Sequence, residues 1–330
     1  MSTSEKILVG DIGGTKTVLA LFSKGGDPHT PDVHATFPSG KYPSLEAIIA
    51  EFLTGKDVAV QSAAFGVAGP VVKQIADVTN LSWVIDGRDV SASIGGVPVR
   101  LLNDLEAISE AVPRLAPDDL ETLNAGRAEE HGALAVVAPG TGLGEGFLVW
   151  NGERYQACPS EGGHADFSPG TPLETELFLY LEPRFGHVSY ERVCSGMGLP
   201  NVYAFMKNSG KYPEPDWLRQ ELAAAKDQTP IISNAAMQGN AEICVQTMQL
   251  FVSILAGEAG NMALKVLATG GVYLGGGIPP RIVSWLKQPI FMARFANKGR
   301  LQDMLLRTPV HVIKHPTAAL FGAACHGLEM

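Results

Sequence analysis

Cysteine is scarce in this chain, with 4 among 330 residues. Cys158, Cys194, Cys244 and Cys325 stand far apart and form no C-x-x-C pair, which excludes a zinc ribbon and a disulfide framework and leaves reduced core thiols. Positive charge is also in short supply. Lys and Arg total 25 against 34 Asp and Glu, a net charge of -9, so the global field repels nucleic acid and anionic membrane, and neither is an expected partner. Nothing ahead of Ile7 resembles a DNA-binding helix-turn-helix. Unbroken apolar runs of membrane-spanning length are missing as well: residues 243–267 come nearest, and Gln246, Gln249, Glu258, Asn261 and Lys265 interrupt them, so a buried helix is expected. The opening residues lack the basic, apolar and small-residue series of a secretory signal, and the expected location is the cytoplasm.

Two familiar phosphate-binding loops are absent. Every Gly-Lys pair is followed by Tyr42, Asp57 or Tyr212 in place of Ser or Thr, which removes the Walker loop. The alternating Gly140, Gly142, Gly144 and Gly146 lead into another strand instead of a helix, which makes a poor dinucleotide fingerprint.

What the chain does have is apolar bulk, 45% of its residues, and length enough for about two domains. It also repeats one device. Residues 7–22 and residues 133–149 each pair two strand-forming runs around a glycine turn, Asp11-Ile12-Gly13-Gly14-Thr15 in the first and Gly140-Thr141-Gly142-Leu143-Gly144 in the second. Glycines at such turns let backbone N–H groups converge on one point without a side chain in the way. Two such hairpins, each with a threonine and one with an aspartate, read as a phosphate clamp.

The rest of the first hundred residues alternates strand and helix patterns. Residues 42–53 have helical spacing, 59–67 and 99–102 read as strands, and a helix opens at Asp104 and stops near Pro113. Residues 113–119 are the linker candidate. A second α/β unit follows, with long helices expected over 172–181 and 242–266 and a glycine run at 275–277. The small-residue helix 316–328 is expected to pack back on the first unit, giving lobes of 1–113 plus 316–330 and of 114–315.

In family order, residues 10–15, 80–83, Leu102-Asn103-Asp104, 140–144, Glu161-Gly162-Gly163-His164, 189–196 and 270–278 resemble bacterial glucokinases, of the actin-like ATPase and sugar kinase superfamily. The resemblance implies an α/β fold of two ribonuclease-H-like lobes with the active site in the cleft between them, ATP and Mg²⁺ as cofactors, glucose as substrate, and a homodimer. It departs from the family at Lys16, where asparagine is frequent, and at Ser160, which replaces a glycine; Lys16 receives no role.

For each site residue the resemblance implies a role beside a plainer one. Asp11 stands near Mg²⁺, reached through water, or shapes its turn as an Asx residue. Gly13, Gly14, Thr15, Gly140, Thr141 and Gly142 meet phosphates, or simply close hairpins. Gly276 and Gly277 open a helix beneath the adenosine, or form a strand-to-helix loop. Spacing alone makes Asn103, with Glu106, a capping box worth about 1 kcal/mol. The resemblance makes Asp104 the base that accepts the proton of the sugar C6 hydroxyl, and both jobs are compatible. Asn103, Glu161, His164 and Glu191 complete the implied sugar ring; without it, Glu191 is a first-turn acid after a Ser189 cap, and Glu161 and His164 belong to an exposed turn. Asn80 and Trp83 belong to a loop over the sugar, or Trp83 is simply buried. Two alternatives stand beside glucose phosphorylation. One is another hexose or N-acetylhexosamine kinase of this fold, which commonly carries a zinc-binding cysteine cluster soon after the Gly-His; none follows His164. The other is a non-catalytic sugar-sensing regulator.

Overall fold

A computed structural model describes residues 4–330. The chain forms two compact units: residues up to Ala116 together with His315–Met330, and Pro117–Lys314.

In the first unit, β1 (Ser4–Ile12), β2 (Lys16–Ser23), β3 (Val33–Pro38) and β4 (Val58–Val67) come first, then three short strands, β5 (Val71–Val72), β6 (Ile75–Asp77) and β7 (Val84–Asp86), then β8 (Val99–Asn103). The main sheet runs β3-β2-β1-β4-β8, antiparallel up to β1 and parallel from there. Its strands are apolar on both faces because both are covered. Leu8, Leu19 and Leu21 pack with Ile48, Phe52 and Phe65 on one side, while Ile7, Val9, Val18 and Ala20 pack with Ala64, Ala323 and Ala324 on the other. The helix expected over 42–53 spans Leu45–Leu53, begun by Ser44, whose Oγ accepts the Ala47 N–H at 3.4 Å. Tyr42 stays extended, as a residue before proline prefers. The last helix, Ala318–Glu329, crosses this sheet and the Asp104–Ala111 helix.

The second unit carries β9 (Leu120–Asn124), β10 (Leu134–Pro139), β11 (Leu143–Trp150), β12 (Tyr155–Ser160), β13 (Gly271–Leu274) and β14 (Val310–Ile313), in the order β12-β11-β10-β13-β14-β9. Apart from the β9 edge, the topology repeats that of the first unit: an antiparallel meander whose first strand pairs in parallel with a later strand, which pairs in parallel with another. The hairpin seen twice in the sequence is therefore the opening of a duplicated sheet. The helix Glu242–Lys265 has the length and apolar content to cross a bilayer, alone in this among the described residues, and most of it is buried within the unit. Two boundaries differ from the pattern-based reading. The helix expected to end at Leu181 runs from Pro172 through Pro183 to Phe185, because Gly186 (φ 68°) closes it by donating its N–H to the Glu182 carbonyl. Residues 275–277 open no regular helix: a single 3₁₀ turn, Pro279–Arg281, breaks at Ile282 (φ -115°, ψ 23°) before the short helix Val283–Leu286.

Candidate active site

In the first unit, β1, β4 and β8 are parallel, so their carboxyl ends share one edge of the sheet. Open α/β sheets bind ligands at that edge. Asp11 is next to last in β1, and Asn103 ends β8. Burial raises the Asp11 pKa to about 6, with Lys16 opposing the shift and Asp104 adding to it. The carboxylates of Asp11 and Asp104 are therefore neighbours. Asp104 is exposed at the first position of its helix, and its Oδ1 accepts the Leu105 N–H at 2.9 Å. Asn103 Oδ1 accepts the Glu106 N–H, but Glu106 turns to Arg100 at 3.2 Å instead of reaching back. Half of the expected capping box is present.

The first hairpin turn is pinned by a residue the motif reading missed. Ser39, fully buried, donates through Oγ to the Gly13 carbonyl at 2.7 Å and through its N–H to the Thr15 carbonyl at 3.1 Å, and Thr17 Oγ1 lies 3.0 Å from Ser39 Oγ. Those carbonyls are thus occupied, while Thr15 and Lys16 face solvent. Gly14 packs against the Thr79 carbonyl and Asn80, whose φ of 64° places it in a tight surface loop. Trp83, from the same segment, is buried in the unit's core and donates Nε1–H to the Tyr42 carbonyl at 3.3 Å.

In the second unit, the Gly140 N–H closes its turn onto the Gly142 carbonyl at 2.8 Å. The Gly140 and Thr141 carbonyls accept from the N–H groups of Gly196 and Met197, at 2.8 and 3.1 Å, leaving the Thr141 side chain exposed. Glu191 has a different place from the one its helix-start pattern suggested. Ser189 makes no side-chain cap, and Glu191 Oε2 instead accepts the Leu143 N–H at 3.0 Å. It presses so closely on Gly142 that a Cβ there would collide with the carboxylate. Gly142 is required by Glu191, a tie that no local spacing reveals. Glu161 and His164 are both exposed at the end of β12, with Oε2 and Nε2 3.9 Å apart. The neighbouring Ser160, the departure from the family pattern, uses Oγ to accept the Gly162 N–H at 3.0 Å.

The loop holding Gly276 and Gly277 is laced to β10 by Gly275 N–H to the Val137 carbonyl (2.9 Å) and Ile278 N–H to the Pro139 carbonyl (3.1 Å). Gly140, Thr141 and Gly277 then line one wall of a cavity of about 960 Å³. Its other walls bring in Lys226, Asp227, Gln228, Asn234 and Arg281, which carry no motif. Lys226, Asp227 and Gln228 form a polar stretch just before the helix Thr229–Gln238, which carries Asn234, and Arg281 ends the Pro279–Arg281 turn. Thr229 ties the start of that helix to the segment behind the first wall through Oγ1–H to the Gly196 carbonyl at 2.6 Å.

Among the described residues no group of three or more His, Cys, Asp or Glu is arranged to hold a metal ion. A carboxylate beside a second carboxylate does fit a hard cation that keeps most of its water, as Mg²⁺ does.

The family model described as Glucokinase matches residues 8–330. A glucokinase of Trichormus variabilis is 38% identical over 333 residues, covering 96% of this chain and 97% of that one. Among solved structures, a glucokinase from an Antarctic psychrotroph superposes with a TM-score of 0.86 at 31% identity over 98% of this chain and 99% of that one. A glucokinase of Balamuthia mandrillaris, solved in complex with glucose, shares the fold with a TM-score of 0.81 at 22% identity over 99% and 94%. The duplicated α/β unit is that of the actin-like ATPases, and a match spanning both copies and their hairpins makes this protein a member of the glucokinase family.

Proposed function

We propose that the protein transfers the γ-phosphoryl group of ATP to the C6 hydroxyl of D-glucose, releasing glucose 6-phosphate and ADP, with Asp104 as general base. The observation that carries this reading is the exposed Asp104 carboxylate at the ligand-binding edge of a sheet, beside Asp11 at the foot of a glycine hairpin. Phosphoryl transfer asks a protein mainly for alignment and charge neutralisation. Asp104 holds the C6 hydroxyl in line and takes its proton as the oxygen attacks phosphorus and the bond to the leaving ADP oxygen breaks. The hydrogen bond from the Leu105 N–H fixes the orientation of the carboxylate for this task.

The sugar is held by Asn103, Asp104, Glu161, His164, Glu191 and Asn80. Asn103 spends its oxygen on the helix and keeps its amide nitrogen to donate; Glu191 spends one oxygen on Leu143 and keeps the other to accept. Turn N–H groups and the hydroxyls of Thr15 and Thr141 meet the phosphates, and the cavity beyond Gly276 and Gly277 takes the adenosine. Asp11, through water, holds the Mg²⁺ that neutralises phosphate charge when bound. On family grounds the reading includes a cytoplasmic homodimer.

A coupled phosphorylation assay over a panel of hexoses and N-acetylhexosamines, with ATP, ADP and polyphosphate as donors, tests the reaction. Glucose with ATP is expected to give the highest kcat/KM. A higher value for an N-acetylhexosamine would assign the site to a different sugar.

A further inference from the structure

None of these roles uses the side chain of Glu145. It lies on β11 shortly after Gly142, it is fully buried, and neither carboxylate oxygen has a hydrogen-bond partner among the described residues. A buried carboxylate without a partner neutralises in preference to staying charged. Here burial, reinforced by the charge of Glu258 and opposed by Lys265, raises the pKa to about 8.

What surrounds Glu145 indicates what it does. Across the antiparallel pair it stands opposite Ser160, so both side chains emerge on one face of the sheet. Ser160 Oγ accepts the Gly162 N–H, and the Glu145 carboxyl packs so tightly under Gly162 that a Cβ there would collide with Oε2. The turn carrying Glu161 and His164 therefore rests on this strand pair. The like charge that acts on Glu145 belongs to Glu258, buried on the Glu242–Lys265 helix, with Oε1 accepting from Lys265 Nζ at 3.0 Å and Oε2 from Asn261 Nδ2 at 2.8 Å. Asn261 also donates to Tyr190 Oη at 2.8 Å, and Tyr190 adjoins Glu191. Buried polar groups thus lie behind both proposed sugar-facing segments of this unit, Glu145 under Gly162 and the Glu258–Asn261–Tyr190 chain beside Glu191.

We propose that the buried Glu145 carboxyl, packed under Gly162, supports the 161–164 turn, making Glu145 a positioning residue for Glu161 and His164. The proposal rests on the reading of those two residues as sugar ligands. The titratable and charged groups around Glu145 and Glu258 are Lys265 on the long helix, Tyr190 and Cys194 in and just beyond a 3₁₀ turn at Tyr190–Arg192, and Lys298 and Arg294, the latter paired with Glu174. Loss of the Glu145 proton leaves a buried charge under Gly162, repelled by Glu258 and attracted by Lys265, and the turn packed on it is expected to shift.

Glucose and ATP kinetics from about pH 6 to about pH 9 test this for the wild type, Glu145→Gln, Glu145→Leu and Glu161→Gln. The wild-type KM for glucose is expected to rise several-fold through about pH 8 with the KM for ATP unchanged. Glu145→Gln, which keeps a donor and cannot ionise, is expected to hold the neutral-pH glucose KM and lose the alkaline rise. Glu145→Leu, which removes the donor, is expected to raise glucose KM by about tenfold at neutral pH without changing that for ATP. An alkaline rise preserved in Glu145→Gln overturns the role of the Glu145 carboxyl, and this arm decides alone if Glu145→Leu does not fold. If Glu161→Gln raises glucose KM and Glu145→Leu does not, the supporting role is overturned while the sugar reading stands. If neither raises it, both fall together.

Discussion

Asp104 does two things that a single substitution separates. As the first residue of its helix it is replaceable by asparagine at little cost, since Asn serves a helix start as well as Asp does. As a base it is not replaceable. Asp104→Asn is expected to melt within about 1 kcal/mol of wild type while turnover falls by roughly 10²- to 10⁴-fold, as measured by circular dichroism melts beside glucose-phosphorylation kinetics. A folded Asn variant with near wild-type turnover would remove Asp104 from the chemistry. Asp11 gives a pH signature. Its pKa, raised to about 6 by burial, means that the carboxylate must lose a proton before it can face a cation, so the apparent Mg²⁺ affinity is expected to weaken as pH falls through about 6. Titrating activity with Mg²⁺ at about pH 5.5 and about pH 7.5 measures this, and equal half-saturation at both would place the metal elsewhere. Asp11 and Asp104 were legible in the sequence because each sits where a strand pattern stops. Ser39 and Glu145 were not, because their partners are brought in by sheet pairing and by turns distant along the chain.

At the scale of elements, both glycine hairpins could be read in advance because alternating β-branched and aliphatic residues on either side of a short turn permit little else. The ends of helices were harder. The Pro172–Phe185 helix outlasts its proline since a ring one turn from the end removes a single hydrogen bond, and Gly186 then supplies the stop. The reason for Gly142 was hidden for a similar cause: it reads as part of a phosphate nest, while the collision it avoids is with Glu191, from a separate segment. Gly142→Ala is therefore expected to push Glu191 off the Leu143 N–H and raise KM for glucose as well as for ATP, each by about tenfold. Steady-state kinetics with each substrate varied in turn checks it. A change confined to ATP would mean that Gly142 serves the phosphates alone.

At the scale of the whole molecule, the proposed glucose ligands are divided, with Asn80, Asn103 and Asp104 in one compact unit and Glu161, His164 and Glu191 in the other. A ligand held by both stabilises both. Saturating glucose, at about 100 times its Kd, is expected to add about 2.7 kcal/mol to stability and to raise the melting of the entire chain as one transition in calorimetry. If glucose raised only part of a split endotherm, its ligands would belong to one unit. The order of synthesis is set by a different feature, the return of Ala318–Glu329 to the first unit. That helix covers Ile7, Val9 and Ala64 and crosses the Asp104–Ala111 helix where Gly322 meets the Ala107 carbonyl. On the ribosome, Pro117–Lys314 emerges as one continuous stretch and can condense unaided, whereas the sheet made first waits, with one apolar face uncovered, for the last-made helix. The first unit is thus completed only after the second has been made, and until the 318–329 helix emerges its β-sheet keeps an apolar face open to unwanted partners.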